Sequence, residues 1–125
     1  MSSSRDFIQY VMDLLEPSGP ARARAMFGGY GVYRNELMIA LIDDDAFYLR
    51  TDEATRPEFL AAGCKPFVYT TKDGKAMEMS YYEAPADAME DADVMAHWAG
   101  LAFDAAVRAK AAKAAKAPKK PRKKA

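Results

Sequence analysis

Between Arg22 and Arg50 the chain reads as four short runs of strand character separated by only two or three residues. In the first, Arg22 and Arg24 alternate with Ala23 and Ala25 before Met26. Tyr30 to Tyr33, Leu37 to Ile42 and Ala46 to Arg50 follow, divided by Gly28-Gly29, Arg34-Asn35-Glu36 and Asp43-Asp44-Asp45. Connections this short join antiparallel strands only, because a parallel pair needs a crossover of about a dozen residues or more. The stretch is therefore a meander, and the rest of the chain has a sheet to cover.

The flanks supply the cover. Phe7, Ile8, Val11, Leu14 and Leu15 recur at helical spacing behind Ser4, a good N-cap, and ahead of Pro17, which stops the helix. After Thr51-Asp52, the stretch from Pro57 to Ala61 suits a short helix closed by Gly63. Phe67 and Tyr69 alternate with Val68, and Met77, Met79 and Tyr81 alternate with Glu78, Ser80 and Tyr82; Asp73-Gly74 between them signals a two-residue hairpin. Beyond Pro85, residues Val94, Trp98, Leu101, Ala102 and Ala105 define a helical stripe from about Asp91. The helix formers Ala109 to Ala117 prolong it until Pro118. The predicted class is α+β, in the order α-ββββ-α-ββ-α: an antiparallel sheet of about six short strands with helices packed against it.

A chain of 125 residues has room for one core. Residues 1–107 are predicted to form it. Residues 108–125 contain no apolar side chain larger than Ala and are predicted to be a disordered basic tail. No apolar run approaches the ~18 residues of a membrane span. Met1-Ser2-Ser3-Ser4-Arg5-Asp6 leads into an amphipathic segment rather than the apolar stretch of a secretory signal, and Cys64 has no second cysteine to pair with. The expected compartment is the cytoplasm.

Zero net charge hides a strong segregation. All 18 acidic residues lie between Asp6 and Asp104 and nine basic ones between Arg5 and Lys75, so residues 1–107 carry −9; from Arg108 onward there are nine basic residues and no acid, giving +9. Arg108, Lys110, Lys113, Lys116, Lys119, Lys120, Arg122, Lys123 and Lys124 are the candidate nucleic-acid contacts. Lysines every third residue make a slowly drifting stripe on a helix, and a Lys/Pro end stays extended; both shapes can track phosphates without reading sequence. Such a partner would draw the protein toward the nucleoid.

The other candidates read as structure. Gly28-Gly29-Tyr30-Gly31 lies between strands with no Lys-Ser or Lys-Thr behind it, so positive-φ hairpin glycines are expected rather than a phosphate cradle. Asp43-Asp44-Asp45 is too short to gather the six or more oxygens a hard cation takes, and is expected to be a solvated turn. His97, the only histidine, falls on the helix face of Asp93 and Asp104, partly exposed. Cys64 is expected to be a small buried hydrophobe. Tyr30, Tyr33, Tyr48, Tyr69, Tyr81 and Tyr82 should divide about equally between core and surface, the surface half forming with methionines a patch for a protein partner or a second copy. No paired acid and base, metal set or cofactor motif stands out, and the expectation is a protein that is not an enzyme.

One string is more specific. Met26-Phe27-Gly28-Gly29-Tyr30-Gly31-Val32-Tyr33 resembles the N-terminal domain of the TfoX/Sxy family. Further elements match in order: Ala40-Leu41-Ile42, Phe47-Tyr48-Leu49-Arg50 with Asp52, Phe59, Gly63 and Pro66-Phe67 with Tyr69. Met79 with Tyr81-Tyr82, Pro85, and Trp98-Ala99 with Ala102 and Ala106 complete a similarity running from about Arg5 to Val107. The resemblance implies a compact α/β sandwich-like domain with no catalytic residues. It is found in bacterial proteins that regulate natural competence through a cyclic-AMP-dependent transcription activator. Where two-domain members carry a second, helical domain, this chain carries its lysine-rich tail. A transcription regulator, duplex DNA and a second copy of the chain are thus the expected partners.

Overall fold

The computed structural model describes residues 4–26 and 29–116. Helix α1 (Arg5–Leu15) starts where Ser4 Oγ accepts a hydrogen bond from the Phe7 amide at 3.1 Å, and it buries Val11, Leu14 and Leu15. Pro17 tightens its end into a single 3₁₀ turn, Glu16–Ser18. The meander follows as β1 (Arg22–Met26), β2 (Gly29–Arg34), β3 (Leu37–Asp43) and β4 (Ala46–Arg50). Asn35 and Glu36 (φ 51 and 65°), and Asp44 and Asp45 (φ 52 and 57°), are the central pairs of two tight hairpins. Both central residues at positive φ is the geometry that matches strand twist.

Helix α2 (Arg56–Ala61) leads to β5 (Pro66–Thr70) and β6 (Ala76–Glu83), and α3 (Ala92–Lys116) ends the described chain. The turn between β5 and β6 is longer than the two residues expected: it occupies 71–75, closed by the Thr71 amide on the Lys75 carbonyl at 2.9 Å, with Gly74 at φ 86°. All pairings are antiparallel and the order is β1-β2-β3-β4-β6-β5. The second hairpin thus joins the meander through β6, leaving β1 and β5 as edges.

Register assigns every strand residue to a face. Val32, Ala40, Leu49 and Tyr82 lie opposite one another across four strands and form the spine of the covered face. A bulge between Val32 and Tyr33 lets two successive β3 residues, Ile39 and Ala40, both be buried. Against this face pack α1, Phe59 of α2, and the Met95, Trp98, Ala99, Ala102 and Ala106 stripe of α3. Phe59 is fully buried with its ring 4.8 Å from Trp98 and 6.1 Å from Tyr82. The α3 stripe is rotated from the one expected: Val94 and Leu101 sit at its margin, because Met95 and the small alanines let the helix approach the sheet more closely.

Arg34, at the end of β2, is buried on this side and donates to the carbonyls of Gly19 (2.8 Å) and Pro20 (3.2 Å) and to Ser18 Oγ (3.2 Å). It ties the sheet to the chain leaving α1, and burial pushes its pKa down. Among the described residues no helix lies over the opposite face of the sheet.

Candidate functional site

Two surfaces stand apart from the core. The first is the uncovered face. Along it, pairs of the same register bring Arg22 beside Tyr33, Tyr33 beside Met38, Gly31 beside Leu41, Leu41 beside Tyr48, and Arg50 beside Tyr81. The sheet curls so that Met26, Met38 and Leu41 face Phe67, Tyr69, Met79 and Tyr81 across a concavity of about 450 Å³. Tyr48 and Phe67 close one side edge to face, with ring centroids 4.9 Å apart.

The glycines of the Gly29-Tyr30-Gly31 segment explain this shape, and not through positive φ as expected, for neither has one. A Cβ on Gly31 would sit 2.6 Å from Met26 Sδ and 3.1 Å from Tyr33 Cε1, and one on Gly29 would sit 2.3 Å from the Ile42 carbonyl oxygen. Their role is close approach: bare backbone lets two side chains lie across β2 and brings β2 against β3. Phe27 and Gly28 lie outside the described residues. Of the six strand tyrosines only Tyr30 and Tyr82 take covered-face positions; Tyr33, Tyr48, Tyr69 and Tyr81 belong to the open face.

Charged side chains border this face. Asp43 and Glu83 flank Tyr48, with Asp44 beyond; burial first, then these carboxylates, pushes the Tyr48 phenol up. Arg24, in the same cross-strand row as Glu83 but on the edge strand β1, lies over the Tyr33 ring at 5.6 Å, and Arg50 donates to the Met38 carbonyl at 3.0 Å. Burial pushes the Tyr81 phenol up, with Arg50 opposing it. The methionines and arginines that share this face are invisible in a list of tyrosines; only the register reveals them.

The second surface is the end of α3. The last buried residues are Ala105 and Ala106, after which the helix continues to Lys116 with Lys110 and Lys113 exposed. The helix expected to run on through the Ala/Lys stretch is present to Lys116. Lys119, Lys120, Arg122, Lys123 and Lys124 lie outside the described residues. Arg108 is not free for a ligand: its Nε and Nη2 donate to Asp52 at 2.7 and 3.1 Å. That hydrogen bond, foremost, holds the Asp52 carboxyl below its ordinary value.

The remaining candidates have structural occupations. His97 is exposed, as expected, with Nε2 2.6 Å from Glu58 Oε2 of α2. Cys64 is half-buried rather than buried, and burial, with Glu83 and Asp87 nearby, pushes its thiol up, away from thiolate reactivity. Among the described residues no group of three or more His, Cys, Asp and Glu side chains is arranged to hold a metal ion, and no helix is long and apolar enough to cross a membrane.

An α+β domain with helices on one face of an antiparallel sheet, a Met- and Tyr-lined concavity on the other and a glycine-containing β1–β2 connection is what these elements define. The family model of the TfoX N-terminal domain matches residues 13–106, and the chain belongs to that family. Pro66, Phe67, Tyr81 and Trp98, together with Met26, Gly29, Tyr30, Gly31 and Tyr33 of the β1–β2 segment, fall inside the match. No curated protein matches the sequence.

Proposed function

We propose that the chain is a non-enzymatic accessory protein of the transcription-regulatory kind, in which the folded domain contacts protein and the basic C-terminal run adds sequence-independent affinity for duplex DNA. Family membership supports the regulatory half, including the competence-related role that the family suggests. The observation that carries the DNA half is the continuation of α3 beyond its last core contact at Ala106, bearing exposed Lys110 and Lys113, at the point where the charge changes from −9 to +9. A helix that leaves its domain this way presents cations at phosphate-tracking spacing without disturbing the core. The reading places the protein in the cytoplasm, at the nucleoid.

The test compares the full chain with one ending at Ala109, which keeps the Arg108 to Asp52 contact, on a generic duplex between about 50 and 200 mM salt. The full chain should bind with a log–log salt slope of roughly −0.9 per phosphate neutralised, independent of sequence. The shortened chain should not bind. Equal binding by both would remove the basic run from the account, and no binding by either at low salt would remove DNA.

A second reading, a protein-interaction module whose basic run is incidental, is favoured by one observation: the concave apolar face has exposed Tyr69 and Met79 at its rim.

A further inference from the structure

We propose that β5 is a pairing edge for a second copy of the chain: two β5 strands join antiparallel about a two-fold axis through Tyr69, making one continuous sheet with six strands from each copy. The inference goes beyond DNA association and leaves the concave face free. Its assay contains no nucleic acid, so either can fail alone.

The sheet has two edges, and they differ. β1 carries the exposed Arg22 and Arg24, the kind of charged side chain that blunts an edge against pairing. β5 begins at Pro66, but Val68-Tyr69-Thr70 behind it holds neither charge nor proline, is rich in strand formers and is exposed, Val68 at 49% and Tyr69 at 46%. Hydrogen bonds around the β5–β6 hairpin fix which backbone groups this stretch leaves open. The Thr71 amide donates to the Lys75 carbonyl, the Ser80 carbonyl accepts from Thr51 on the β4 side, and the register is unbroken from Val68 opposite Glu78 to Thr70 opposite Ala76. Bonded residues alternate along an antiparallel ladder, so Tyr69, like Thr71, turns its N–H and C=O to β6, and Val68 and Thr70 turn theirs outward. Among the described residues no other backbone group meets them.

Donors and acceptors repeating at every second residue along an exposed line are matched by an extended strand. A second copy supplies one, and the register is self-complementary. About an axis through Tyr69, Val68 of each copy lies opposite Thr70 of the other, and each of the two pairs exchanges two N–H···O bonds, with none of those groups left over. The β-branched Val68 and Thr70 then sit side by side, and the two Tyr69 rings meet at a non-bonded site, where cross-strand side chains are closest. An axis through Val68 instead would set Pro66, which has no N–H, opposite Thr70 and leave the Thr70 carbonyl without a donor. The axis stands perpendicular to the sheet, so both concavities open on one side and both α3 helices lie on the other. Each copy uses its one unblunted edge, and the assembly closes at two.

Sedimentation velocity on the full chain, carried to about 1 mM because a contact smaller than a standard interface is weak, should show a monomer–dimer equilibrium. Over the same series the Val68 and Thr70 amides should exchange with solvent more slowly, by at least about twofold once half the chains are paired. Val68→Pro removes an N–H that the β5–β6 ladder does not use, so the fold stands, and it should weaken the dimer at least about tenfold. Residue 69 faces itself across the axis, which gives a test of register: the Tyr69→Lys and Tyr69→Glu chains should each be monomeric and should pair when mixed one to one. A wild-type chain that stays monomeric to about 1 mM, a dimer indifferent to Val68→Pro, or Tyr69 variants that fold but do not pair when mixed would overturn the proposal.

Discussion

The two faces of the sheet are built from alternate residues of the same strands and have opposite characters. On the covered face, side chains from α1, β2, β3, β4, α2, β6 and α3 interlock, and Val32, Ile39, Ala40, Leu49 and Phe59 are fully buried. On the open face the same strands offer methionines and tyrosines, mostly half-exposed, around a concavity. The covered face holds the fold, and the open face is free to serve a partner. Stability and function have been separated by a period of two residues.

The largest test of that separation compares Phe59→Ala with Met79→Ala. Removing Phe59 empties a site packed by Trp98 and Tyr82, and should cost about 3–5 kcal/mol. Met79 is 39% exposed, and its truncation should change unfolding free energy by no more than about 0.5 kcal/mol. Urea denaturation reads both. Comparable losses would mean that the open face belongs to the core.

Arg34 comes next. It is the one buried cation among the described residues, and Arg34→Met keeps most of the volume while leaving the Gly19 and Pro20 carbonyls without their donor. The expected loss is about 1–3 kcal/mol, the range for stranding buried polar groups. Lysine, lacking the planar fork, should recover only part of it.

The glycines sharpen the comparison further. Gly29→Ala drives a methyl group to 2.3 Å from a backbone oxygen and should cost about 1–3 kcal/mol, since strands β2 and β3 must part. Gly31→Ala meets Met26 Sδ, part of a flexible side chain that can turn aside into the concavity. Its cost should stay below about 1 kcal/mol. A thermal melt of the two variants side by side measures the difference.

How much of this was legible beforehand follows from what alternation can encode. The strands, their antiparallel pairing and the Ser4 cap all announce themselves locally, because hairpin length and capping chemistry are properties of neighbours in sequence. The bulge at Ile39 does not: it makes two successive residues face inward, and only pairing with β2 fixes where. The insertion of β6 between β4 and β5, the burial of Arg34 and the rotation of the α3 stripe depend on contacts between distant segments. The concavity was legible only as an excess of tyrosine and methionine. Which residues line it required the register of several strands at once, which no local pattern carries.

The smallest expected effect lies where the acidic body meets the basic run. Asp52 accepts from the Ala54 and Thr55 amides at the entry to α2 and from Arg108 on α3, so one carboxylate joins two of the elements over the covered face. The Arg108 hydrogen bond holds its pKa below the ordinary value near 3.9. A carboxylate depressed in the folded state adds stability above its unfolded pKa. The contribution is therefore complete at pH 7 and is lost as pH falls through about 4 toward the depressed folded value. Both partners are solvent-exposed enough for water and salt to screen them, so the effect is small. Arg108→Gln should lower the melting temperature slightly at pH 7 and by progressively less below pH 4 (approximately the unfolded carboxyl pKa), until the two melting curves coincide. A difference that persisted unchanged in acid would mean that Arg108 acts through its aliphatic stem, and that the first cation of the basic run belongs to the body by packing rather than by charge.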